Sequence, residues 1–174
     1  MNMTRTSLLI LSGLAWLAAG AASGAGPAAE PRELQWEELL PKEERAGGGA
    51  APPPPAHSYL GEGGPAAGQW GSALVNPELN NVLVKIPGFI VPVDMGADGV
   101  VKEFLLVPYF GACIHVPPPP PNQIVFVRMK QGLKLETIYD AQWIIGKLKT
   151  ASASTPYGSA AYSLEGDSTE VYKY

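Results

Sequence analysis

Cys113-Ile114-His115-Val116, the five prolines at 117–121, and Asn122-Gln123 form an eleven-residue segment that holds the only cysteine and one of two histidines. Thiolate and neutral imidazole are ligands for zinc or cuprous copper. A thiol beside a base is also the unit of a covalent catalyst. In an extended segment, residues two apart point to one side, so Cys113 and His115 can address a single ion or substrate. The prolines donate no backbone hydrogen bonds and keep a stiff, extended path. They fix where that pair points.

Each chemistry lacks parts. A stable zinc site takes three or four protein ligands, and there is no second cysteine. Asp94, Asp98, Glu103 or His57 would have to complete the set, or two copies would have to share the ion. Metal binding through Cys113 and His115 alone describes a weak or transfer-type site, with zinc as the cofactor it would take. A thiol enzyme with Cys113 as nucleophile and His115 as base needs a third group to orient the base, and no spacing supplies it. Nor is there a phosphate-binding glycine loop, a His-Glu-x-x-His, a paired-cysteine motif or a Gly-x-Ser-x-Gly. We assign no catalytic residue.

A binding ledge needs less. Tyr109, Phe110, Cys113, His115, Pro117, Pro118, Pro119, Asn122 and Gln123 would offer a preorganised surface to a protein or small ligand. A purely structural reading is compatible with it: the prolines close one end of a barrel and His115 bonds a carbonyl.

The N-terminus indicates where such a site would work. Arg5 precedes an apolar run from Leu8 to Ala19, followed by Ala21, Ala22, Ser23, Gly24 and Ala25. That is the pattern of a cleaved export signal, too short for a membrane span. No cysteine lies there for a lipid anchor. A periplasmic protein is expected, without stable membrane insertion after cleavage. In an oxidising compartment a lone cysteine makes no internal disulfide. The net charge of −4 and the lack of a basic cluster argue against nucleic acid.

Four segments follow: a signal peptide over 1–25, an N-terminal arm with a short helix over 26–45, a Gly/Ala/Pro-rich linker over 46–68 and a β-barrel domain over 69–174. Pro31 and the acidic residues Glu33, Glu37 and Glu38 suit a helix start, and Pro41 is expected to stop that helix. His57 falls in the linker and reads as solvated. From Asn81 the pattern is of short strands: 82–86 and 89–93 bent at Gly88, then 100–107, 123–129 and 133–139 after a turn at Gln131-Gly132, then 143–149. A closing hairpin is expected at Glu165-Gly166-Asp167-Ser168. Without βαβ alternation, this spacing predicts a mainly β fold, a small antiparallel barrel of the OB type.

The run from Pro108 to Gln123, with Ile86-Pro87-Gly88-Phe89-Ile90-Val91-Pro92 and Glu103-Phe104-Leu105-Leu106-Val107 upstream, resembles an uncharacterised family of exported bacterial proteins. The resemblance spans roughly Asn81 to the C-terminus. It implies a domain of unknown function, some of whose members look to be encoded beside ABC-type transporter components for zinc supply. The expected role is a non-catalytic envelope accessory protein, supporting metal or lipoprotein-related transport, with an envelope or transporter protein as partner.

Overall fold

A computed structural model describes residues 30–46, 69–112, 118–134 and 140–173. Five long strands make the barrel: β2 (Val82–Met95), β3 (Val100–Val107), β4 (Val125–Lys134), β5 (Gln142–Lys149) and β8 (Tyr162–Val171). Their order is β2-β3-β4-β8-β5, closed by β2 pairing with β5. All neighbours are antiparallel except β4 and β8, which run parallel. This is the OB-type connectivity. Three short strands decorate it: β1 (Arg32–Glu33) lies parallel to β2, and β6 (Ala153–Thr155) and β7 (Gly158–Ala160) form a small hairpin.

Gly88 does not divide two strands. It sits inside one continuous β2, where the pairing passes from Gln142 of β5 at Gly88 to Val107 of β3 at Phe89. A Cβ at Gly88 would lie 2.8 Å from the Val107 carbonyl oxygen and from Leu106 Cγ. The missing side chain lets one strand serve both halves of the barrel.

Two other expected turns are strand. β4 runs straight through Gln131-Gly132, with a register shift opposite Val101 and Glu103. β8 continues through Glu165-Gly166-Asp167-Ser168, with a register shift against β5 between Gly166 and Ser168, so there is no closing hairpin there. Residues 135–139, part of an expected strand, lie outside the described residues.

The arm also departs from expectation. Residues 31–40 do not form one helix. Leu34 N–H donates to the Lys85 carbonyl at 2.9 Å, which holds this part extended along β2. A 3-10 turn follows at Trp36–Leu39, and the helix itself, α1, is Lys42–Ala46. Pro41 precedes that helix, and its carbonyl accepts the Arg45 N–H at 3.1 Å. Packing decides the matter, because Leu34 and Leu39 are both fully buried in the main core.

That core fills the barrel with Ile86, Ile90, Phe104, Leu106, Val127, Ile144 and Tyr162. Because strand side chains alternate, Leu105 and Val107 of β3 and Val91 of β2 point the other way. They form a second apolar layer outside the barrel with Ala112, Ile124 and Ala160, flanked by partly buried Phe89, Val93 and Phe126.

Candidate functional site

The connection from β3 to β4, residues 108–124, carries the ledge residues. It leaves β3 over the second apolar layer, where Ala112 is fully buried. Before Ala112 the side chains turn outward. Tyr109 and Phe110 are exposed, Phe110 at 60 %. The Phe110 ring meets Phe89 edge-on, with centroids 5.8 Å apart at 72°, the geometry that ring quadrupoles favour. Phe126 lies at the rim of the same layer, with the Arg128 guanidinium 5.7 Å from its ring centroid. Arg128 Nε donates to Glu103 Oε1 at 2.6 Å. An aromatic edge therefore rises beside a charged pair.

The second half of the connection turns inward. Pro119 and Pro120 are buried and Pro118 is half-buried. The Pro119 carbonyl accepts from Gln69 Nε2 at 2.9 Å. Gly71, at φ +94°, passes so close to Pro120 that a Cβ there would lie 2.7 Å from its ring. A 3-10 turn at Pro121–Gln123 then leads into β4. Asn122 is only 1 % exposed, and its Nδ2 donates to Glu44 Oε2 at 3.0 Å and to the Leu74 carbonyl at 3.1 Å. Gln123 Nε2 donates to the Trp36 carbonyl at 3.1 Å. These amides tie the arm to the barrel and take no part in an outer ledge.

Cys113, His115 and Pro117 lie outside the described residues, as does His57. Two of the acidic residues offered to complete a metal set are engaged elsewhere: Glu103 holds Arg128, and Asp98 Oδ1 accepts the Val100 N–H at 3.1 Å in the turn before β3. Asp94 stands opposite Glu103 in the β2–β3 register. Among the described residues, no group of three or more His, Cys, Asp or Glu is placed to hold a metal.

Tyr162 lies against the arm. Burial pushes its phenol above the usual value, while the hydrogen bond from the Asn76 N–H works the other way. Sequence reasoning missed two residues that shape the site. Phe89 forms the base under Phe110, though it stood within the Ile86–Pro92 motif, and Gln69 braces the prolines. For Gln69 there was no local signal at all.

A family model described as a protein of unknown function, DUF3299, matches residues 36–171. The chain belongs to the DUF3299 family. The match starts at Trp36 and not near Asn81, so the DUF3299 domain includes the arm from the 3-10 turn onward. The crystal structure of a DUF3299 family protein from Pseudomonas aeruginosa superimposes with a TM-score of 0.71 at 42% sequence identity, over 84% of this chain and 99% of that one. No curated protein matches the chain.

Proposed function

We propose that this DUF3299 protein is an exported, non-catalytic binding module of the cell envelope, which meets a protein partner through the aromatic edge at Tyr109 and Phe110. One observation carries the reading. An outer apolar layer on β2 and β3 is covered by the 108–112 segment and ends in a Phe110 ring that is 60 % exposed yet seated on Phe89. An exposed aromatic whose ring is already seated on a neighbour is the kind of anchor that dominates protein interfaces, because little entropy is lost on docking. The apolar run Leu8–Ala19 behind Arg5, with small residues after it, supports export. The resemblance in the 108–123 segment makes a component of an ABC-type metal transporter the first partner to examine.

Photo-cross-linking in living cells tests this, with the reactive group at position 110 of the full-length chain. A discrete adduct formed by the processed, periplasmic protein is expected, and Tyr109→Ala should reduce its yield. No adduct from processed protein, or a chain retained unprocessed in the cytoplasm, overturns the reading.

A further inference from the structure

We infer that a groove between the β5–β8 connection and the proline run is a binding site for a neutral, polyhydroxylated ligand, a short uncharged oligosaccharide. This goes beyond the proposed function and concerns a surface other than the Phe110 edge. The groove is open and has a volume of about 480 Å³, inside the ~300–1,000 Å³ of small-molecule sites. Thr150, Ser152 and Ser159 line it on one side, with Val75, Pro121 and Ala161 among its apolar walls. Not one lining residue carries a charge.

The chemistry of the lining selects the ligand class. Among the described residues, the hydroxyls of Thr150, Ser152 and Ser159 make no hydrogen bond, although backbone groups of Thr150 and Ser159 do. Each hydroxyl offers one donor and two acceptor positions. A charged ligand would lose its hydration without a counter-charge. A purely apolar one would strand three hydroxyls. A ligand bearing several neutral hydroxyls satisfies them all.

The frame is rigid where it must be. Gln69 Nε2 donates to the Pro119 carbonyl at 2.9 Å and to the Ser159 carbonyl at 2.8 Å, while its Oε1 accepts the Ser159 N–H at 2.7 Å. This side chain is fully engaged and locks the β6–β7 hairpin to the prolines. Two aromatics adjoin the lining in sequence. Trp70 follows Gln69 and, among the described residues, keeps a buried indole N–H without a partner, and Tyr157 is exposed at the hairpin turn. In barrels of this connectivity, the connection between the fourth and fifth strands is one of the loops that reach ligands.

Amide NMR titration of the full chain tests the inference, with maltotriose and chitotriose as probes. At millimolar sugar we expect saturable shifts centred on Ala73, Thr150, Ser152 and Ser159. Thr150→Val and Ser152→Ala should each weaken binding about three- to tenfold, the worth of one hydrogen bond. Ala73→Trp, which fills the groove and removes no polar group, should abolish it. Phe110→Ala should leave sugar binding unchanged, so this inference and the proposed function fail separately. Absence of saturable shifts with both sugars, shifts centred elsewhere, insensitivity to all three groove variants, or an equal response to a Gly-Pro-Pro-Pro peptide would overturn it.

Discussion

The Tyr162 hydroxyl donates to the Leu39 carbonyl at 2.5 Å and accepts the Asn76 N–H at 2.6 Å. One phenol on the last barrel strand thus joins the arm to the segment before β2. Asn76 extends the link, donating from Nδ2 to the Glu38 carbonyl at 3.0 Å. Tyr162→Phe keeps the ring in the core but leaves two backbone groups without a partner. At about 1–3 kcal/mol for each orphaned group, the variant should lose about 2–6 kcal/mol in urea denaturation, with an unchanged m-value.

The same phenol should make alkaline stability depend on position 162. Burial raises its pKa in the folded chain above the ordinary value of about 10, so the fold favours the neutral form. The stability this contributes is whole below pH ~10 and is lost as pH rises from there through the higher folded value. Wild type should therefore lose stability faster than Tyr162→Phe over that window. Denaturation midpoints measured for both proteins at stepped alkaline pH check this, and parallel curves would refute it.

Asn122→Asp places a carboxylate where Nδ2 now meets Glu44 Oε2 at 3.0 Å. A buried donor becomes an acceptor facing a negative charge. The cost should exceed about 2 kcal/mol at neutral pH and should shrink as pH is lowered, because burial and the facing Glu44 carboxylate make the new carboxyl easier to protonate than a free one. Limited proteolysis should cut the arm of Asn122→Asp faster than that of the wild type at pH 7. Gln123→Ala, whose amide is less buried, should do so to a smaller extent.

Gly146 and Gly166 look alike in sequence and should differ on substitution. A Cβ at Gly146 would lie 2.2 Å from the Glu165 backbone oxygen, in the neighbouring strand. At Gly166 the obstacle at 2.2 Å is Met129 Sδ, part of a flexible side chain. Gly146→Ala should cost more than about 3 kcal/mol or prevent folding. Gly166→Ala should cost about 1–2 kcal/mol as Met129 shifts. Thermal unfolding of the two variants ranks them.

These glycines also show which parts of the fold were legible. β3, Val100–Val107, follows the sequence reading to the residue, because a turn at Asp98-Gly99 and an apolar run define it locally. Glu165-Gly166-Asp167-Ser168 carries equally good turn chemistry, yet it is strand. Gly166 gives room to Met129, Asp167 pairs with Lys130, and Glu165 with Lys149 at 2.5 Å. Those partners come from other strands, and no local window contains them. The arm misled for the same reason: its acidic start suits a helix, but Leu34 and Leu39 gain more from burial in a core built by later residues.

At the site, Tyr109 and Phe110 are exposed. The amides of Asn122 and Gln123 read as equally exposed and are not. Their partners lie 48 and 87 residues away, at Leu74 and Trp36. A polar side chain after a proline run gives no hint of such distant acceptors.

The bond between Leu39 and Tyr162 bears on how the chain is made. Leu34 docks on β2 through the Lys85 carbonyl, but the Leu39 carbonyl waits for Tyr162, 123 residues later on the last of the barrel strands. That half of the arm's seat cannot form before β8 is in place, so Leu39 stays uncovered while the earlier strands assemble. Long-range closure of this kind is slow and leaves greasy segments uncovered meanwhile. Chains truncated before Tyr162 should leave Leu39 uncovered, and limited proteolysis should cut their arm faster than that of the full chain.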